Sequence, residues 1–213
     1  MDRRKHLLEI ASKYDILIVE DTAYNHLVYE KIHVKTLRSL DNEGRVLYVG
    51  SFSKVLGTGL RIGWLEVDKE VTQKIRFCKQ PMDMCAPVIS QYLVIEILRR
   101  GLFDNIRDKA IEAYKHNRDL MLEALDKYLP ELTRTRPVAG MFVLLWLHEN
   151  IDCFKFVDLL LEKYDVAVIP AAPFFIGDEG KNVIRLNFSL APVNLIDEGV
   201  RRIAKLHKEL SVK

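Results

Sequence analysis

The chain has 213 residues, and its 32 Lys and Arg side chains nearly balance its 30 Asp and Glu side chains. A hydrophobic share of 49% at this length supports a buried core and excludes disorder as the main state. The balanced charge argues against binding to nucleic acid or to an acidic membrane surface, and the three cysteines form no Cys-x-x-Cys pair, so neither a disulfide scaffold nor a metal site is expected.

The first hundred residues alternate between helical and strand patterns. Apolar residues at helical spacing predict helices at residues 3–14, 69–79 and 87–100. Short apolar runs predict strands at residues 16–19, 46–50 and 62–67. The runs at 16–19 and 46–50 are typical of strands buried on both faces, and Pro81 is expected to separate the last two helices. This alternation predicts an α/β fold with a mostly parallel sheet.

The remaining residues begin with a helical pattern over residues 102–129 that is long enough to connect two domains. Strands and helices then alternate, with predicted bounds of 141–147, 153–164, 166–169, 183–188 and 195–210. This order is typical of a second, smaller α/β unit. We therefore expect a partial large domain over residues 1–101 and a small domain over residues 102–213.

Polar residues gather where the first two predicted strands end, the edge at which ligands bind in parallel sheets. A carboxylate at a buried strand end, Asp21, needs a cationic partner, unless it is a helix N-cap or an exposed loop acid. Segment 50–64, which contains Lys54 and Arg61, adds hydroxyls and glycines. This composition suits a phosphate held near a reactive amine, and it equally suits a glycine-rich connection with solvated charges. The segment contains neither a Walker loop nor a dinucleotide-binding fingerprint.

Several short motifs follow one another along the chain. They are Asp-Thr-Ala-Tyr at residues 21–24, Ser-Phe-Ser-Lys at 51–54, Gly-Leu-Arg-Ile-Gly-Trp at 59–64, Pro-Val-Ala-Gly-Met-Phe at 137–142, Val-Ile-Pro at 168–170 and Ile-Arg-Leu-Asn-Phe-Ser at 184–189. In this order they resemble the fold-type I pyridoxal phosphate (PLP) aminotransferases, in the branch of kynurenine/2-aminoadipate and multi-substrate aminotransferases. The resemblance implies the PLP-dependent transferase fold, here as the C-terminal part of the large-domain sheet and the small α/β domain.

The resemblance implies that three residues contact the cofactor ring. Lys54 binds the aldehyde of PLP covalently and, once released, moves the proton at the substrate α-carbon. Asp21 pairs with the pyridine nitrogen and keeps it protonated, and Tyr24 donates a hydrogen bond to the ring oxygen.

The resemblance implies that four further residues bind anionic groups. Ser51 and Ser53 donate hydrogen bonds to the cofactor phosphate, and Arg61 binds it with a planar guanidinium. Arg185 clamps the α-carboxylate of the substrate.

The sequence departs from the family pattern chiefly at the N-terminal side. Family members carry there an Asn-Pro-x-x-Gly segment, a phosphate-binding loop rich in glycine and serine, and an aromatic residue that stacks on the ring. Without the early strands of the large domain, an open sheet edge and an uncovered apolar face are expected. Ala139 and Ala171 stand where glycine and a Pro-Gly pair are usual.

Three functions follow from these motifs. The preferred one is transfer of an amino group from an amino acid to a 2-oxo acid, by a truncated chain with reduced or no activity on its own. The alternatives are the PLP-binding sensor domain of a transcription regulator and a non-catalytic remnant. Aromatic, 2-aminoadipate, branched and acidic amino donors all remain open.

The expected assembly is a homodimer or a complex with a missing N-terminal part. No apolar run approaches the roughly 20 residues that cross a bilayer, and the first residues lack the apolar core of a signal peptide. A cytoplasmic location is therefore expected.

Overall fold

In the computed structural model of the chain, which describes residues 2–32, 35–177 and 179–211, two units are distinguished, residues 1–110 and 111–213. The first unit contains α1 (Asp2–Lys13), β1 (Ile18–Asp21), β2 (Val46–Ser51), β3 (Gly63–Glu66), α2 (Lys69–Asp83), α3 (Val88–Arg99) and the start of α4 (Leu102–Tyr128). The second unit contains the rest of α4, then β4 (Phe142–Trp146), α5 (Cys153–Tyr164), β5 (Ile169–Pro170), β6 (Val183–Asn187) and α6 (Ile196–Ser211). The predicted domain boundary after residue 101 stays a prediction.

The first unit is built on a three-stranded sheet of order β1-β2-β3. Strands β1 and β2 are parallel, with Ile18 opposite Val46, whereas β2 and β3 are antiparallel, with Ser51 opposite Gly63. The prediction of a mostly parallel sheet is therefore wrong for β3. Residues 52–62 contain no crossover helix, and so short a connection returns the chain in the opposite direction.

Strand β1 is less buried than its apolar sequence predicts. Ile16 and Leu17 are exposed, and Val19 is 65% exposed. The strand lies at the sheet edge, with β2 as its one neighbour among the described strands. The prediction of burial on both faces is wrong because the face that carries Val19 and Asp21 is exposed, whereas the opposite face, with Ile18 and Glu20, is half-buried.

Helix α2 continues past the proline that was expected to end it. Pro81 lies inside the last turn, and the helix ends two residues later at Asp83. Met84 then takes a positive φ of 54°, and its N–H donates to the carbonyl oxygen of Gln80 at 3.2 Å. A proline so near the end removes one backbone hydrogen bond without breaking a long run of them.

The second unit packs helices on an antiparallel sheet of order β4-β6-β5. Asp152 caps the start of helix α5, and its side chain accepts a hydrogen bond from the Lys155 N–H at 3.0 Å. Asp165 caps the end of the helix in the left-handed conformation. The predicted strand at 166–169 begins later, at Ile169, because the chain leaves α5 through this cap.

The core of the second unit is continuous and apolar. Its largest fully buried side chains are Phe156, Phe188, Leu125, Leu129, Leu145, Leu160, Ile184, Leu186, Leu206 and Val143. Buried Asn117 donates from Nδ2 to the carbonyl oxygen of Phe188 at 2.9 Å, which ties α4 to the end of β6. No helix in the described part of the chain is long and apolar enough to span a bilayer.

Candidate active site

The carboxyl ends of β1 and β2 lie side by side, and the residues that follow them emerge at one edge of the sheet. Asp21 stands opposite Val49 in the register of the two strands. The carbonyl oxygen of Val49 accepts two hydrogen bonds from Thr22, from its N–H at 2.9 Å and from its Oγ1 at 2.7 Å. These bonds attach the turn after β1 to the end of β2.

Lys54 lies on a short turn that begins directly after β2. The Ser53 N–H donates to the Oγ of Ser51 at 3.2 Å, and the Leu56 N–H donates to the carbonyl oxygen of Phe52 at 2.8 Å. The Nζ of Lys54 lies 5.3 Å from the ring centroid of Tyr24. The structure thus brings together Ser51 with Ser53, and Lys54 with Tyr24.

Asp21 is exposed, although it was expected at a buried strand end. Its Oδ1 accepts a hydrogen bond from the Ala23 N–H at 3.0 Å, as in a turn closed by a side chain. The expectation of a buried carboxylate is wrong because Asp21 lies on the exposed face of β1, with Val19. The carboxylate still lies at the same sheet edge as Lys54.

Arg61 lies at the other end of the segment that follows β2. Its backbone has a φ of 54° and a ψ of 37°, a left-handed conformation that non-glycine residues seldom adopt. The exposed guanidinium donates from Nη1 to the carbonyl oxygen of Thr58 at 3.4 Å. The next residue, Ile62, accepts a hydrogen bond from the Phe52 N–H at 3.0 Å, so Arg61 lies close in the chain to the Ser51–Ser53 turn.

A glycine beneath this turn leaves room for an aromatic side chain. A Cβ atom on Gly50 would lie 2.1 Å from the indole of Trp64, and one on Gly63 would lie 2.8 Å from the carbonyl oxygen of Gly50. Glycine at both positions therefore lets β2 and β3 approach closely, with Trp64 packed over Gly50.

An aromatic cluster supports the Lys54 turn, and no feature of the sequence had indicated it. The ring centroid of Phe52 lies 4.7 Å from that of Trp64 and 6.0 Å from that of Phe103, with the Phe52 and Phe103 rings edge to face. Phe103 in turn makes an edge-to-face contact with His26 at 5.3 Å. Burial lowers the pKa of His26, and the nearby positive charge of Arg107 lowers it further. Phe103 is far from the motifs in sequence, so only the fold reveals this support.

Arg185 belongs to the second unit, where two aromatic rings enclose its guanidinium. Its Cζ lies 4.4 Å from the ring centroids of both Phe142 and Phe174. The buried Nε has no hydrogen-bond partner among the described residues. Arg185 on β6 stands opposite Leu144 on β4, and Phe142 lies two residues before Leu144 on the same face of the sheet. The contact between Arg185 and Phe142 is therefore a diagonal cross-strand pair, which the pairing of these two strands could have predicted. No sequence signal indicates Phe174.

A cavity of about 540 Å³ adjoins Arg185 within the second unit. Its lining is mostly apolar, with Val168, Val200 and Ile203 among its residues, and Glu198 contributes charge. Hydrogen bonds from Arg201 and Arg202 lower the pKa of Glu198 to about 2. The cavity thus combines apolar walls with the charged side chains of Arg185, Glu198 and Arg202, and the Nε of Arg185 is a buried donor.

Comparison with known proteins identifies relatives along the whole chain. Residues 3–203 match the family described as aminotransferase class I and II. An uncharacterized aminotransferase of Saccharolobus solfataricus is 43% identical over 210 residues, which cover 98% of this chain and 52% of that protein. The chain therefore spans about half the length of this relative.

Solved structures of aminotransferases have the same fold. An archaeal alanine:glyoxylate aminotransferase is 50% identical with a TM-score of 0.95, over 99% of this chain and 52% of that one. A kynurenine aminotransferase of Pyrococcus horikoshii, solved in complex with PMP, is 39% identical with a TM-score of 0.93, over 100% of this chain and 52% of that one. The predicted α/β fold of the PLP-dependent transferases is confirmed.

Proposed function

The chain belongs to the class I and II aminotransferases, and on that basis we propose that it carries the lysine and cofactor contacts with which a PLP-dependent enzyme moves an amino group from an amino acid to a 2-oxo acid. The observation that carries this proposal is the position of Lys54, whose Nζ lies 5.3 Å from the Tyr24 ring at the edge where β1 and β2 end.

The side chains at this edge fit the chemistry of PLP, a cofactor with a phosphate, a ring nitrogen and an aldehyde. Lys54 supplies an amine for the aldehyde, Asp21 a carboxylate for the protonated ring nitrogen and Tyr24 a phenol for the ring oxygen. When bound, PLP supplies an electron sink for the bond that breaks at the substrate α-carbon.

The phosphate requires donors and positive charge, and the same edge offers both. The hydroxyls of Ser51 and Ser53 are neutral donors on a fixed turn, since the Ser53 N–H is bound to the Ser51 Oγ. The guanidinium of Arg61 is exposed and can add a charge-assisted contact. These three residues are proposed to hold the phosphate.

Lys54 and Arg185 are proposed to act on the substrate. The amine of Lys54 takes a proton from the substrate α-carbon as a general base, and the ammonium group that results would donate that proton to the cofactor as a general acid. Arg185 binds the α-carboxylate, since its Nε is buried without a partner among the described residues and its Cζ lies 4.4 Å from the ring centroids of Phe142 and Phe174. Lysine cannot reproduce this planar fork.

The test is an absorbance titration of the purified chain with PLP, followed by borohydride reduction and peptide mapping. We expect a saturable band and a phosphopyridoxyl group on Lys54, both absent from the Lys54→Ala variant. Lys79, which lies exposed on α2, provides the matched control: Lys79→Ala should retain the band. Labelling of a lysine other than Lys54 contradicts the assignment.

Amino donors are then added to the PLP-loaded chain to separate catalysis from binding alone. A spectral change with an amino acid supports amino-group transfer, and Arg185→Lys should weaken the response to every donor because all donors share the α-carboxylate. A saturable band without any response to donors would indicate a PLP-binding sensor. A chain that gives no band with PLP, alone or together with its missing N-terminal part, would be a non-catalytic remnant.

A further inference from the structure

Tyr24 and Lys54 lie on two separate turns of the first unit. The first turn follows β1, and there the Leu27 N–H donates to the carbonyl oxygen of Tyr24 at 3.0 Å. The second turn follows β2, and there the Leu56 N–H donates to the carbonyl oxygen of Phe52 at 2.8 Å. These bonds fix the shape of each turn, but they do not fix the position of the Lys54 side chain relative to that of Tyr24.

One aromatic ring contacts both turns. The centroid of the Phe103 ring, in the first turn of α4, lies 5.3 Å from that of His26 at an interplanar angle of 82°. It lies 6.0 Å from that of Phe52 at an angle of 83°. His26 is two residues after Tyr24, and Phe52 is two residues before Lys54. Phe103 therefore joins the two segments that carry the proposed contacts to the PLP ring.

The contact between His26 and Phe103 is one between two neutral rings. Burial lowers the pKa of His26, the positive charge of Arg107 lowers it further, and Asp104 opposes only part of this change. Neutral rings attract each other edge to face because the ring edge is positive and the ring face is negative. A phenylalanine at position 26 can therefore replace the imidazole in this contact.

The two turns together determine where the Lys54 amine lies. Its Nζ lies over the Tyr24 ring, 5.3 Å from the centroid, and both residues are half-buried. Trp64 on β3 contacts Phe52 at 4.7 Å and holds the Lys54 turn on the sheet. His26 and Phe103 add a contact that reaches the Tyr24 turn. A misplacement of about 1 Å at a reacting group can lower a rate roughly a hundredfold, so the spacing of the turns matters to any reaction that uses both.

We propose that His26 and Phe103 are positioning residues, which hold the Lys54 amine over the Tyr24 ring before any cofactor binds. The inference rests on the proposed function, since it concerns two of the groups that are proposed to contact PLP. Placing both groups in advance removes an ordering cost from cofactor binding.

The test follows the lysine side chains of the full chain by NMR, without cofactor and with ¹³C at lysine Cε. The ring current of Tyr24 should shift the Lys54 Hε signals upfield. Lys54→Ala assigns these signals, and Tyr24→Leu gives the full size of the shift. His26→Ala and Phe103→Leu should each remove more than half of it. His26→Phe should retain it, because its ring can make the same contact.

The same spectra contain an internal control in the first unit, since the Nζ of Lys13 lies over the Tyr14 ring at 5.1 Å. The Lys13 shift should stay unchanged in every variant. Phe77→Leu is the matched control, because Phe77 is an exposed aromatic residue of the same unit, and it should leave the Lys54 shift in place.

Three results would overturn the proposal. In the first, His26→Ala or Phe103→Leu keeps the Lys54 shift. In the second, either variant also loses the Lys13 shift, which would show that the residue stabilises the whole unit and does not position one side chain. In the third, His26→Phe loses the Lys54 shift as His26→Ala does.

A second measurement connects this placement to the cofactor. In the PLP titration, Phe103→Leu should raise the half-saturating PLP concentration about tenfold, and His26→Phe should leave it unchanged. The NMR spectra contain no cofactor, so the two proposals fail separately. Absence of a band in the unchanged chain contradicts the proposed function, whereas the Lys54 shift still decides whether His26 and Phe103 position the amine.

Discussion

The two units of this chain differ in how much of their apolar sequence they bury. Of the 30 hydrophobic side chains that are buried in the described part of the chain, 22 belong to residues 111–213 and 8 to residues 1–110. The second unit folds its sheet and helices around Phe156 and Phe188, whereas the first leaves β1, α2 and α3 exposed. The comparison teaches that a regular α/β pattern can form in a unit that leaves much of its apolar sequence exposed.

The largest effect that this comparison predicts is a loss of stability when a buried side chain in the core of the second unit is shortened. Phe156 is fully buried on α5, and Phe156→Ala should lower the free energy of unfolding by about 3–5 kcal/mol through the cavity that it leaves. Phe77→Ala, on the exposed α2, should change it by less than about 0.5 kcal/mol.

Each unit holds one tryptophan, so urea unfolding can follow the two separately. Trp146 reports on the second unit when Trp64 is replaced by phenylalanine, and Trp64 reports on the first in the converse variant. Equal losses for Phe156→Ala and Phe77→Ala would contradict the difference in burial.

An intermediate effect is expected in the aromatic cluster beneath the Lys54 turn. Phe103→Ala removes edge-to-face contacts with Phe52 and His26, each worth about 0.5–1.5 kcal/mol, so the Trp64 transition should lose about 1–3 kcal/mol. Amide hydrogen exchange at Val55 and Leu56 should become faster, since their bonds to Phe52 hold the turn. Phe103→Leu keeps apolar volume but lacks the aromatic ring. It should therefore recover only part of the lost stability and only part of the protection of the Val55 and Leu56 amides. If Phe103→Ala lowered only the stability of the second unit, Phe103 would not support the Lys54 turn.

The smallest expected effect is a pH dependence in the second unit. The pKa of Glu198 falls from 4.5 to about 2 in the folded chain, because Arg201 and Arg202 donate hydrogen bonds to its carboxylate. Its contribution to stability is therefore present above pH 4.5 and is lost as the pH falls from 4.5 to about 2. Glu198→Gln should flatten this part of the dependence.

The Glu198 comparison is made with the Trp146 transition in urea at pH 3 and pH 6. Glu149→Gln is the control, since Glu149 is exposed and has no ion pair among the described residues. The Glu198 assignment is contradicted if both variants keep the change in unfolding free energy between pH 3 and pH 6 that the unchanged chain shows. If Glu149→Gln alone reduced this change in unfolding free energy, the pH dependence would not arise from Glu198.

Most of the fold could be predicted from the sequence because its helices and strands have strong apolar periods. The helix predicted at 102–129 is observed at Leu102–Tyr128, and the helix at 153–164 has the predicted bounds. The motif order was sufficient to predict the family. The degree of burial of β1 could not be predicted. An apolar run indicates that a strand is suited to burial, but it does not indicate whether another element packs against the strand.

The sequence by itself determined the types of chemical group at the candidate site, because Lys54, Asp21, Tyr24 and Arg185 carry their chemistry in their side chains. Only the tertiary structure decided what surrounds them: the exposure of Asp21, the support of the Lys54 turn by Phe103, and the enclosure of Arg185 by Phe142 and Phe174. The physical reason is that composition and local period act over a few residues, whereas these ring contacts join residues that lie 11 to 51 positions apart in the chain.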